Sequence, residues 1–432
     1  MNKHKFLTTA ISAAAAVAVL AASAGGAATK AVSKDLMSGI KAQKVSISGA
    51  VTQNFINSTQ SFSVNLFKKT YQDGANTLVS PTSAYLALGM AANGASGTTR
   101  TAFQTLLGKY GLHIADLDKA YKAYSGDLTQ KRGNTTLTLA NSIWFNSTFT
   151  PNKNFLQTNA DYFGTTAKKL DFTNPDAVNE INSWVKSKTG GKISKIIDKL
   201  QKEEVMHLLD ALYFNAKWTL PFDRTSMPYG SSFYLENGEA SRVTYMLLNE
   251  AKLSYAQGAS ETAVLLPYND KRFAMLLMLP NKGVTLRKYV ADMNEKTIPN
   301  LVSAMEKTSV DLALPQFKVE SDNLLDKALK GMGLSVAYGD KADFPKIGTD
   351  KRSLCISSVH QKTYLDVNEL GTEAGAVTDI GVGTTALPTD IKQLKFDHPF
   401  AYAIIDTKTN LPLFIGAMEK PVSTLKPRET VK

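Results

Sequence analysis

The side chains of this chain that could do covalent chemistry fit none of the common catalytic patterns by their spacing. Gly94-Ala95-Ser96-Gly97 sets a serine among glycines, but not at the G-x-S-x-G spacing of a nucleophile elbow. Gly190-Gly191-Lys192 lacks both the first glycine and the hydroxyl of a phosphate-binding loop, and H-E-x-x-H does not occur. Gly381-Val382-Gly383 does not open a helix. Beyond the first residues, His113, His207, His360 and His398 are too scattered to suggest a metal site, so neither metal nor cofactor is expected. Cys355 is the only cysteine, which excludes an intramolecular disulfide. Its setting, Ser353-Leu354-Cys355-Ile356-Ser357, reads as a strand interior, where a small buried hydrophobe is a better account than a nucleophile. A Ser/His/Asp triad gathered only by folding stays open on sequence grounds. The balance is against an enzyme.

A different chemistry fits the stretch from Lys362 to Ala386: that of a peptide offered to another protein's nucleophile. Lys362 to Val367 alternates β-formers, which places Thr363, Leu365 and Val367 on one face of a strand. From Gly371 to Ala386 nearly every residue is small, no helical stripe is present, and the composition is that of an exposed loop. Yet alternate residues (Thr372, Ala374, Ala376, Thr378, Ile380, Val382, Thr384) would suit the buried face of a sheet. The other register, from Glu373 through Asp379, would suit the solvent face. The same segment therefore qualifies both as a loop and as a strand.

Glu369-Leu370-Gly371-Thr372-Glu373-Ala374-Gly375-Ala376-Val377-Thr378 resembles the hinge of the serpin reactive-centre loop, whose pattern is Glu, any residue, Gly, Thr, Glu and then small residues. Asp397-His398-Pro399-Phe400 and Leu411-Pro412-Leu413-Phe414-Ile415-Gly416 are similar to that family's C-terminal hairpin. Leu209-Asp210-Ala211-Leu212-Tyr213-Phe214-Asn215-Ala216-Lys217-Trp218 and the Ile181–Ile193 region resemble two more of its signatures. The resemblance covers nearly the whole chain. It implies an α+β fold: a serpin-like single domain with about eight to nine helices packed on three β-sheets, and an exposed reactive-centre loop.

The resemblance also assigns roles. Glu369, Gly371, Thr372, Glu373, Ala374, Gly375 and Ala376 would be the hinge, and Trp218 would stand where loop entry begins. Ser80, Ser83, Asp210 and Gln361 would form a polar cluster that controls sheet opening, with Asp210 and Gln361 where the family usually has Asn and His. Counting from Glu369 puts the reactive bond at Thr385–Ala386, suited to the shallow apolar pocket of an elastase-like protease; Leu387 is the chymotrypsin-like alternative. The implied partner is a serine protease held as a covalent acyl complex, the inhibitor itself being a monomer. A charged or bulky residue at the inward hinge positions would argue for a non-inhibitory carrier, chaperone or storage role. Small Thr372, Ala374 and Ala376 favour inhibition.

The elements that must position this stretch follow from the rest of the sequence. Lys3, His4 and Lys5 precede an apolar run from Phe6 to Leu20, with Ala22-Ser23-Ala24 as a cleavage site, so residues 1–28 read as a signal peptide cut near Ala24. It is too short and alanine-rich for a good membrane span, and the mature protein is expected to be secreted and free of the membrane. Residues 29–45 read as a spacer and 45–425 as the domain. With 432 residues and 43% hydrophobic content, a large core is available. The net charge of +11 favours acidic partners, but Lys109, Lys119, Lys122, Lys131 and Arg132 read as a solvated helical face, and nucleic acid is not expected. Phe55, Phe62, Leu66 and Phe67 have near-helical spacing. Ser80-Pro81 reads as an N-cap and first helical residue. Strands are expected near 135–145, at 261–268 with 273–280, and at 308–319; helices at 176–188 and 321–331; and a final hairpin turning at Lys408-Thr409-Asn410.

Overall fold

The computed structural model of the chain describes residues 32–223, 229–349, 354–372 and 390–422. The signal peptide, the hinge positions Glu373, Ala374, Gly375 and Ala376, and the reactive-bond residues Thr385 and Ala386 lie outside the described residues.

The architecture is α+β, with sheets of seven, nine and two strands and nine α-helices among the described residues. The seven-stranded sheet carries the functional stretch. Its strands lie in the order Lys34–Asp35, Thr166–Leu170, Thr136–Asn146, Met206–Lys217, Gly371–Thr372, Val359–Asn368 and Phe317–Leu324. The alternation read in the sequence is realised here, since Thr363, Leu365 and Val367 are fully buried on the inner face. Under that face runs the helix Pro81–Ala92, apolar all round and buried along its whole length. Over the outer face lies the amphipathic helix Ala177–Lys188, whose Ile181 and Val185 pack with Trp144, Leu209 and Ala211.

The nine-stranded sheet holds the expected hairpins. Glu261–Pro267 pairs antiparallel with Phe273–Pro280, and Phe400–Asp406 with Pro412–Met418. At the latter turn Asn410 adopts a φ of 57°, a left-handed conformation that asparagine tolerates better than most residues. Each fully buried Leu, Met or Phe along these strands contributes about 1.5–3 kcal/mol, so the sheet pair is the main source of stability in a chain without disulfides.

Four sequence expectations are corrected. The stretch expected as a spacer belongs to the fold, because Lys34–Asp35 pairs with Lys168 and Lys169 while Leu36, Met37 and Ile40 pack on the core. The strand expected at 308–319 is two, Glu306–Pro315 and Phe317–Leu324, in different sheets. The chain changes sheet at Pro315-Gln316, where proline offers no N–H to continue a ladder. The helix expected from Ser321 starts only at Asp326, because Ser321 to Leu324 still pair in register with Thr363 to His360. Cys355 lies outside any strand and is half-buried, its thiol pushed up from the usual value by burial.

Candidate functional site

Trp218 closes the top of the central strand Met206–Lys217 and holds the turn from which the hinge departs. Its indole N–H donates to the Asn368 carbonyl at 2.9 Å, and its backbone N–H to the Leu370 carbonyl at 3.0 Å. The Phe222 N–H donates to the Glu369 carbonyl at 2.9 Å, and the buried Glu369 carboxylate accepts from Gln316 Nε2 at 3.0 Å. The chain therefore reverses tightly after Asn368, and Gly371–Thr372 enters the sheet between its two neighbours. Gly371 pairs with Lys217 and Asn368, and Thr372 with Ala216 and Val367.

Only glycine fits at 371. The residue has a φ of 155°, and a Cβ there would lie 2.1 Å from the Ala216 carbonyl oxygen. Thr372 is fully buried, and its hydroxyl lies 2.6 Å from the Tyr268 hydroxyl. Tyr268 in turn stacks on Trp218, ring centroids 4.6 Å apart, and burial holds its phenol well above the ordinary value. Tyr268 and Gln316 were not found by sequence reasoning. Neither has a spacing that ties it to the hinge, and both arrive from other elements.

Below this wedge the sheet has a seam. Met206–Lys217 and Val359–Asn368 pair directly, in parallel, from Leu208–Val359 up to Ala211–Lys362. Higher up, the wedge of Gly371–Thr372 pairs with Ala216–Lys217 on one side and Val367–Asn368 on the other, and among the described residues nothing pairs between 212–215 and 363–366. At the paired part of the seam the structure brings Ser80, Ser83, Asp210 and Gln361 together, all buried. Gln361 Nε2 donates to the Ser80 carbonyl at 2.8 Å and to Asp210 Oδ2 at 3.2 Å, while its Oε1 accepts from the Ser80 N–H at 2.8 Å. The Ser83 hydroxyl donates to Asp210 Oδ1. Burial pushes the Asp210 carboxyl up to about 6, against the pull of the bonds from Ser83 and Gln361.

Ser80 departs from its expected role. It occupies the N-cap position, but its hydroxyl accepts no bond from the helix's first N–H groups and instead donates to the Leu413 carbonyl at 2.8 Å, so it ties the helix start to the neighbouring sheet. His360 points to the opposite face from Gln361, half-buried, with its imidazole held below the ordinary value by burial.

The described part of the hinge ends at Thr372 in the seven-stranded sheet, and the described structure resumes at Asp390, just before Ile391–Lys395 pairs in parallel with Glu306–Pro315 of the other sheet. The segment between is thus anchored at its two ends in two different sheets.

A family model described as Serpin (serine protease inhibitor) matches residues 57–421. An uncharacterised serpin-like protein of Thermococcus kodakarensis is 30% identical over 376 residues, 85% of each chain. The solved structure of the thermophilic serpin tengpin in the native state superposes with a TM-score of 0.85 at 36% identity, covering 91% of this chain and 100% of that one. Thyroxine-binding globulin in complex with thyroxine has the same fold, with a TM-score of 0.76 at 26% identity over 85% of this chain and 99% of that one.

Proposed function

The chain belongs to the serpin family, whose members are generally protease inhibitors, and from that premise we propose that it is a suicide-substrate inhibitor of elastase-like serine proteases. The protease serine attacks the carbonyl of Thr385, the peptide bond to Ala386 breaks, and Ala386 leaves as a free amine while an ester joins Thr385 to the enzyme. The freed N-terminal part of the loop then enters the seam as a strand and drags the tethered protease with it.

The observation that carries this reading is the register already set by Gly371–Thr372. Extending that ladder two residues at a time would bring Ala374 between Phe214 and Leu365, where small side chains are needed. Ala376 would come between Leu212 and Thr363, Thr378 between Asp210 and Gln361, and Ile380 between Leu208 and Val359. Small meets large, polar meets polar, and apolar meets apolar. About a dozen new ladder bonds at roughly 0.5–1.5 kcal/mol net each would exceed the few kcal/mol that distorting one preorganised group of a catalytic site requires.

The test is incubation of the secreted, monomeric protein with a panel of serine proteases, followed by denaturing electrophoresis and mass measurement of the released fragment. A denaturant-resistant complex with elastase-like enzymes and a cut after Thr385 is expected; a cut after Leu387 would move the reactive bond. If every protease cleaves the loop and turns over, a non-inhibitory role of the same fold, such as carrying a ligand, becomes the better account.

A further inference from the structure

Asp210 is one of four polar side chains that form a straight row across the inner face of the main sheet. In register, Asn141 stands opposite Asp210, Asp210 beside Gln361, and Gln361 opposite Asn323. Asn323 donates to the Leu78 carbonyl at 2.8 Å, and Gln361 is saturated by Ser80 and Asp210. Asn141 is different: its side-chain oxygen is buried without a hydrogen-bond partner among the described residues. Residues directly opposite in an antiparallel pair have Cβ atoms roughly 4.5–5.5 Å apart, within reach of one carboxyl–amide bond. With the Asn141 oxygen turned to Asp210, an ionised carboxylate would set two acceptors against each other, whereas a carboxylic acid would supply the missing donor.

We propose that Asp210 is a proton-operated latch on the seam. With its proton it bridges Asn141 to Gln361 and keeps the two central strands closed. Once the proton passes to water, the closed seam holds a buried carboxylate that an opened, hydrated seam accommodates better, so opening becomes easier as pH rises. The proposal rests on the loop-insertion reading, and it names what regulates that insertion.

Among the described residues, no other charge on the packed elements faces this carboxyl. The helix Pro81–Ala92 and the strands Thr77–Val79, Thr136–Asn146 and Pro412–Met418 contain no Asp, Glu, Lys, Arg or His. Tyr85 of that helix has its phenol pushed above the ordinary value by burial and stays neutral. His207 and Lys217 of the central strand, His360, Lys362 and Asp366 of its neighbour, and Lys318, Glu320 and Asp322 of the edge strand alternate to the outer face. Burial pushes Asp210 up to about 6 in the closed sheet. A hydrated aspartate titrates near about 4, so the opening equilibrium gains up to about 100-fold as pH rises from below the lower value to above the higher one.

The experiment uses intact mature protein without protease, from pH 4.5 to 8. It compares wild type, Asp210→Asn and Ser83→Ala by melting temperature and by the rate of spontaneous conversion to a heat-stable form on native gels. Wild type should lose stability and convert faster with a midpoint near pH 6, by tens-fold overall, and the step should be missing from Asp210→Asn. Ser83→Ala removes a bond that favours the ionised form, so it should move the midpoint upward. The outer-face histidines and Asp118, common to all three proteins, cancel in the comparison. A wild-type pH profile that does not differ from that of Asp210→Asn near pH 6, or a Ser83→Ala protein that melts lower with an unmoved midpoint, overturns the latch. Failure of the inhibitory reading shows separately, as the lack of a covalent complex in the protease panel.

Discussion

Replacing Thr372 with arginine should turn the inhibitor into a substrate. Thr372 has no exposed surface, lies between Ala216 and Val367, and shares a 2.6 Å hydrogen bond with Tyr268. Arginine removes that bond, worth about 1 kcal/mol, and brings a guanidinium into a space that held a hydroxyl and a methyl. Burying an uncompensated charge costs several kcal/mol more, so the inward rotamer is disfavoured by roughly 4 kcal/mol or above. Because 372 is already seated in the intact sheet, arginine unseats the wedge there; if half of the cost of seating it again is felt in the first step of insertion, insertion slows by about 30-fold, at about 1.4 kcal/mol per factor of ten. The acyl-enzyme then hydrolyses before the loop is seated. Denaturing electrophoresis with any protease that cuts the loop should show fragment in place of complex, with unchanged initial cleavage, while Thr372→Ser retains the complex. An unchanged complex yield for Thr372→Arg would refute the idea that insertion starts from this wedge.

Three further outcomes follow from the same contacts. Gln361→Ala strands the Ser80 amide and weakens the hold on Asp210, a loss of roughly 2–4 kcal/mol that should lower the melting temperature of the intact form by several degrees and speed its polymerisation; equal melting curves would count against it. Asp118, buried against Asn93, has its carboxyl pushed up to about 7 by burial, so its stability contribution is full in acid and lost as pH rises through 7. Asp118→Asn should therefore melt higher than wild type at pH 8, with the advantage gone by pH 4. Cleaving the loop should raise the melting temperature of wild type, and no gain on cleavage would remove the stored-strain account altogether.

Legibility in the sequence followed the range of the interaction. The period-two alternation at 362–367 is a local signal, and all three inward residues are buried as it requires. Trp218, Glu369, Asp210 and Gln361 were identified from motif resemblance, and the fold brings the first two to the wedge and the last two to the seam below it. Tyr268 and Gln316 touch the hinge from 104 and 53 residues away, and nothing in their immediate sequence marks a tyrosine or glutamine for that duty. Ser80 carries a valid N-cap signal that the fold overrides, because Leu413 offers its hydroxyl a partner in the neighbouring sheet. Ser321 to Leu324 read as a helix start because serine and aspartate are good caps, yet pairing with Thr363 to His360 holds them as strand.

Asp210 and Gln361 stand where the pattern that the chain resembles has Asn and His, and the exchange changes the chemistry of the seam. An amide of Gln361 donates to Asp210 from a position where the family pattern has an imidazole facing an amide, so a donor still meets an acceptor across the two central strands. The pair differs in its charge states. An asparagine under the sheet is neutral at every pH, and the cost of holding the seam closed is then the same in acid and in base. A carboxyl under the sheet is neutral only while protonated, and here it is enclosed by Ser83, Gln361 and the uncharged helix Pro81–Ala92, while the cations of its own and the neighbouring strand alternate to the outer face. On the proposed insertion mechanism the free energy that keeps the loop out of the sheet would therefore contain a proton, and solution pH would become a variable in when the strain is released.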